Sequence, residues 1–244
     1  MRTPALVQWH VGRVIGRRSV ADSAVLLELD VPTWPGNDAG AHLDIRLTAP
    51  DGYQASRSYS LASSGESTRV ALAVQEVPEG EVSPYLVHQL VEGEEVAVHG
   101  PLGRFFVWDP TEPDRSPVQL IAGGSGIVPL FSIASARERE ADNADFRLLY
   151  SVRAPRDVFF AEELAGFTRT TVEIVHTRES PLGAVRAPGR LTRESIAESV
   201  FPASLSPRIF VCGPTPFVEA VAGWLLELGH DPARIRTERF GGTT

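Results

Sequence analysis

The chain has 244 residues, enough for one large domain or two small ones, and either leaves room for a hydrophobic core. All 23 basic residues are arginine and the cysteine is single, which excludes P-loop, pyridoxal-phosphate and lysine-base chemistry, an internal disulfide, a cysteine-rich zinc site and a four-thiolate iron–sulfur cluster. The 31 acidic residues leave a net charge of −8, which argues against nucleic-acid binding, and no apolar run approaches the roughly 20 residues of a membrane span.

The first twelve residues contain no signal-peptide core, so a cytoplasmic protein is expected. Arg13, Arg17 and Arg18 form a local basic cluster, read as a solvated strand face. Through the first hundred residues apolar and polar positions alternate. Leu43, Ile45 and Leu47 interleave with His42, Asp44, Arg46 and Thr48; Val70, Leu72 and Val74 form a second row, and Val96 and Val98 a third. Pro35-Gly36, Asp51-Gly52, Pro78-Glu79-Gly80 and Glu92-Gly93 supply turns between them, a pattern that predicts a closed antiparallel barrel over residues 1–110. The stretch from Trp108 to Pro117, rich in proline and acid, reads as a linker.

From residue 117 the period changes. Short apolar runs at Val118–Ala122, Phe146–Tyr150, Val172–Val175 and Ile209–Cys212 alternate with helix-like segments, which predicts parallel strands buried on both faces in an α/β domain over 117–244. The clearest helix has Thr215 as its expected N-cap, Pro216 in its first turn and Gly229 at its C-cap; its apolar face is Phe217, Val218, Val221, Leu225 and Leu228.

Several short segments carry chemistry. Gly123-Gly124-Ser125-Gly126 follows the first buried strand and opens a helix, where a glycine turn lets backbone amides meet a pyrophosphate. Lacking the third glycine of the dinucleotide pattern, it reads equally as a structural tight turn. Arg153 ends the second strand where an acid would hold an adenosine ribose, so it suits a 2′-phosphate; Arg178 is a second candidate contact, and both also fit exposed loop positions. In the barrel half, alternation sends Arg57 and Tyr59 to one face and Ser58 and Ser60 to the other. Gly80-Glu81-Val82-Ser83 precedes Pro84 at the start of a short helix, with Ser83 as the expected N-cap and an anion-ready helix start. Cys212 precedes the last helix, where a thiolate could be activated, and it equally suits a small packed residue that positions its neighbours.

Arg57-Ser-Tyr-Ser60, Gly80-Glu-Val-Ser83, Gly100-Pro-Leu-Gly-Arg-Phe105, Gly123–Pro129, Cys212-Gly-Pro214 and Glu238-Arg-Phe240 occur in one order along nearly the whole chain. In that order and spacing the chain resembles the ferredoxin–NADP reductase superfamily, and within it the bacterial FAD-binding reductase components that serve oxygenases. The resemblance implies an N-terminal flavin-binding antiparallel β-barrel, a C-terminal NAD(P)-binding α/β domain, and hydride transfer across the cleft between them. It also implies that Arg57 holds a flavin phosphate, Tyr59 packs on the ring system and Ser60 lies near flavin N5, while Ser58 belongs to the same motif. Gly80, Val82 and Ser83 would meet the pyrophosphate, favouring FAD over FMN. Gly124, Ser125 and Gly126 would line the dinucleotide, with Cys212, Gly213 and Pro214 at its nicotinamide end. Ser60, Cys212 and Glu238 would be the catalytic set, and Phe240 would cover the flavin.

Two departures stand out. Phe240 is followed by Gly241-Gly-Thr-Thr244, whereas the plant-type aromatic is terminal. The chain also lacks the cysteines of an appended iron–sulfur domain, so a one-electron relay is expected on another protein. The expected activity is an FAD-dependent reductase using NADPH, with NADH as a second possibility. Its acceptor would be a redox protein such as an oxygenase, ferredoxin or flavodoxin. Two other roles stay open: a flavin reductase that releases reduced flavin, and an FAD-binding electron-relay subunit without turnover.

Overall fold

The alternating rows of the first hundred residues pair as antiparallel strands. In the computed structural model, which describes residues 8–139, 144–184 and 186–241, these are β1 (His10–Ala21), β2 (Ala24–Asp30), β3 (His42–Thr48), β4 (Gln54–Ser60), β5 (Arg69–Gln75) and β6 (Glu95–Leu102). They form a six-stranded sheet in the order β4-β3-β6-β1-β2-β5. Its two edges meet where Leu61 bridges Leu72 and the Ala62 N–H donates to Ala71 O at 2.7 Å, so the sheet curls into a barrel. Leu27, Leu29, Leu43, Ile45, Leu72 and Val98 point inward and are fully buried. Each such side chain contributes roughly 1.5–3 kcal/mol relative to exposure. The six-residue helix α1 (Ser83–His88) plugs the barrel with Leu86 and Val87. Ser83 is the first helical residue rather than the cap, because its Oγ turns back to accept the Val77 N–H at 3.0 Å.

The second half is a parallel sheet of β7 (Val118–Gly123), β8 (Phe146–Val152), β9 (Thr170–His176), β10 (Arg208–Pro214) and β11 (Ile235–Phe240), ordered β11-β10-β7-β8-β9. Helices α2 (Ile127–Arg139), α3 (Ala161–Ala165), α4 (Arg193–Ser199) and α5 (Thr215–Glu227) connect them. β7 is buried throughout. β9 is not: Val172 and Ile174 are only half-buried and Thr171 and Glu173 are exposed, because this strand forms an edge of the sheet. α5 starts one residue earlier than expected, with Pro214 at the cap and Thr215 already helical. Its end is a Schellman motif: Gly229, at φ +86°, donates to Leu226 O, and His230 donates to Leu225 O.

One core spans both halves. Ala24, Leu26, Phe106 and Trp108 pack with Leu120, Ile133 and Phe146 of the parallel domain. Trp108, expected in the linker, is instead a core residue whose ring meets Phe146 edge-on at 5.3 Å. The polar stretch after it is pinned to the second half by Glu112 to Arg208 at 2.9 Å and Asp114 to Arg234 at 2.8 Å. The basic cluster is paired rather than merely solvated: Arg13 meets Glu95, Arg17 donates to Val87 O, and Arg18 reaches Glu163 on α3 across the junction.

Candidate functional site

The C-terminal ends of β4 and β11 meet at this junction. Ser60, the last residue of β4, donates its hydroxyl to Glu238 Oε1 at 3.2 Å. Glu238 lies beside Cys212 in the parallel β10–β11 register, and neighbouring strands are about 4.8 Å apart. Hydroxyl, carboxyl and thiol therefore cluster at one point. Burial, reinforced by the nearby Glu238 charge, pushes the Cys212 thiol well above its ordinary pKa despite a Gly213 backbone hydrogen bond. A thiol that stays protonated is a weak nucleophile. Burial also raises Glu238, against the lowering effect of the Ser60 hydrogen bond.

Main-chain packing shapes the adjoining site. A Cβ on Gly126 would stand 2.3 Å from Cys212 O, so only glycine lets this turn lie against β10. Gly124 adopts φ +55°, which favours glycine at that position. The ring of Phe217 fills the space that Cβ atoms at Gly123 and Gly213 would need, at 2.7 and 2.8 Å. Above this floor opens a cavity of about 270 Å³ lined by Gly124, Ser125, Ser151, Arg153, Thr177 and Pro214, with Phe217 and Phe240 as its aromatic walls. Hydroxyls, a guanidinium and aromatic surface in one cleft suit part of a phosphate-bearing dinucleotide. Arg178 is exposed and outside this lining; its backbone N–H donates to Arg153 O at 2.9 Å. Asp157, which the motifs did not point to, also lines the cavity, and its Oδ2 accepts the Ala154 N–H at 3.1 Å.

On the barrel side, Tyr59 packs partly into the barrel core, and this burial raises its pKa to about 12 although Arg57 lowers it. Arg57 is exposed and donates to Ser56 O at 2.7 Å and to Glu81 Oε2 at 3.0 Å. Ser58 faces the other way and donates to Asp44 at 2.5 Å. In the Gly80–Ser83 turn Val82 is fully buried, and a Cβ added to Gly80 would stand 3.1 Å from Ser83 Oγ. A cation, a half-buried ring and a glycine turn on one rim form a donor set that fits a flavin with a phosphate tail. Phe240 closes β11 with 37% of its surface exposed, and Gly241 follows at φ +83°. The remaining tail, 242–244, lies outside the described residues.

Residues 12–107 match the oxidoreductase FAD-binding domain and residues 120–223 the oxidoreductase NAD-binding domain. The glycine betaine monooxygenase reductase subunit of Chromohalobacter salexigens is 34% identical over 86% of this chain and 56% of that protein. The 2-halobenzoate 1,2-dioxygenase electron transfer component of Burkholderia cepacia is 30% identical over 84% of the chain and 59% of its own length. The solved cytochrome P450 reductase of Amycolatopsis is 26% identical, covers 96% of this chain and 70% of its own, and superposes with a TM-score of 0.83. Such a barrel joined to such a parallel sheet defines an oxidoreductase module with FAD- and NAD-binding domains. The chain belongs to the ferredoxin–NADP reductase superfamily, and it spans little more than half the length of the curated relatives it matches.

Proposed function

We propose that this chain is an FAD-dependent NAD(P)H reductase that passes electrons to a separate redox protein, an oxygenase, ferredoxin or flavodoxin. The observation that carries this reading is the Ser60–Glu238 hydrogen bond, which joins the strand bearing the flavin motif to the strand beside the coenzyme cavity. The names of the relatives, a reductase subunit and an electron transfer component, support the same role. Bound FAD would supply the electron-storing chemistry, taking two electrons from reduced nicotinamide and yielding them singly.

The protein's own part is binding, orientation and exclusion of water. Arg57 and the Gly80–Ser83 turn would hold the flavin's phosphates, Tyr59 would support its ring, and the Gly124–Gly126 turn would receive the dinucleotide. The Ser60 hydroxyl, fixed on Glu238 Oε1, and the protonated Cys212 thiol would set hydrogen bonding around the meeting rings. We assign residues 1–110 to the flavin domain and 117–244 to the coenzyme domain, and place the activity in the cytoplasm.

NADPH is favoured over NADH by Arg153, whose guanidinium lines the cavity; Asp157 opposes it with a carboxylate partly engaged by Ala154. Purified chain with added FAD should reduce ferricyanide at the expense of NADPH, faster than with NADH. Coenzyme oxidation that does not depend on FAD would refute the reading.

A further inference from the structure

Arg57, the cation expected to meet a flavin phosphate, already has an anionic partner from its own chain. Glu81 lies in the Gly80–Ser83 turn, 24 residues along the chain, and its Oε2 accepts from Arg57 at 3.0 Å. Its other oxygen, Oε1, accepts the Tyr53 hydroxyl at 2.8 Å. Two donors, Tyr53 just before β4 and Arg57 in its middle, thus meet one carboxylate. The Arg57 side chain keeps 54% of its surface exposed and that of Glu81 50%, so the pair faces solvent at the rim rather than being sealed into the barrel. A half-exposed ion pair of this kind is weak and exchangeable. Nothing in the barrel's packing requires it: Glu81 is exposed, and Val82 beside it supplies the core contact.

We propose that Glu81 is an internal competitor for the flavin phosphate at Arg57, a residue that sets how loosely this chain holds FAD. The proposal rests on the flavin-site reading above. A phosphate arriving at Arg57 finds one Nη2 donor held by Glu81 and one Nη1 donor held by Ser56 O, which leaves fewer of the five N–H groups to meet it, and it must approach the Glu81 carboxylate 3.0 Å from the guanidinium. Both effects oppose binding of the phosphorylated flavin and leave a flavin without phosphate untouched. Retention tuned in this way would let the flavin exchange, which bears directly on whether reduced flavin stays on the chain or leaves it.

Quenching of flavin fluorescence on titrating the flavin-stripped protein measures this directly. Glu81→Gln should tighten FAD binding about tenfold while the Kd for riboflavin, which has no phosphate, stays as in the parent. Glu198→Gln on α4 removes the same charge from the other half of the molecule and should change neither. An unchanged or weaker Kd for FAD in Glu81→Gln, or equal tightening for riboflavin, would overturn the proposal while leaving the flavin site intact. A parent protein that binds no FAD would instead overturn the reading on which it rests.

Discussion

The cavity beside β10 and the barrel rim are built by different means. In the cavity the main chain does the shaping: Gly126 lies so close to Cys212 O that an added Cβ would be 2.3 Å away, and Phe217 occupies the space beside Gly123 and Gly213. At the rim, side chains do it, and the central pair of Arg57 and Glu81 is half in water. A surface made of backbone is specified by what cannot be added to it. A surface made of exposed charges can be tuned one residue at a time.

That contrast orders the expected effects of substitution. Gly126→Ala, which forces a methyl group onto a carbonyl with no flexible neighbour to yield, should cost about 3 kcal/mol and lower Tm by roughly 6–12 °C in a thermal melt. A melt within about 1 °C of the parent would show that the turn is more pliable than its packing implies. Arg57→Ala should weaken FAD about tenfold in a fluorescence titration and leave Tm nearly unchanged, as expected for loss of one exposed charged hydrogen bond. Equal losses of stability at both positions would erase the contrast.

Smaller effects refine it. Arg153→Ala should lower the NADPH to NADH ratio of kcat/KM several-fold, about 1 kcal/mol, through an exposed guanidinium at the cavity wall. Glu238 offers a pH test. Burial raises its folded-state pKa above the unfolded value, so its favourable contribution is complete below the unfolded pKa and fades as pH rises through the folded one. Glu238→Gln should therefore melt progressively higher than the parent as pH is raised from acid to alkaline. A constant offset would contradict that sign.

Much of this architecture was legible in the residues. Leu43 and Ile45 alternate because β3 has one face in the barrel, and Val118–Ala122 runs apolar because β7 is central in a covered sheet. β11 was invisible as a strand because Ile-Arg-Thr-Glu-Arg-Phe carries no apolar run; its pairing with β10 at the sheet edge orders it. By its neighbours, prolines and acids, Trp108 belongs to a linker, yet a single indole can reach the core from a loop. The site motifs were visible as short fixed spacings. Their partners were not: Glu81 meets Arg57, and Asp157 joins Arg153 at the cavity, only through the fold. Phe217 looked like an ordinary helix face, and its role under two glycines emerges from packing alone.

Under the proposed function electrons cross where Ser60 meets Glu238. Anaerobic mixing of the FAD-loaded chain with NADPH tests it by following the visible flavin absorbance in a stopped-flow instrument. The parent should bleach rapidly, and Ser60→Ala should bleach at least about tenfold more slowly with FAD still bound, a change of about 1.4 kcal/mol in the barrier. A parent that does not bleach, or a Ser60→Ala variant that bleaches at the parental rate, would contradict it.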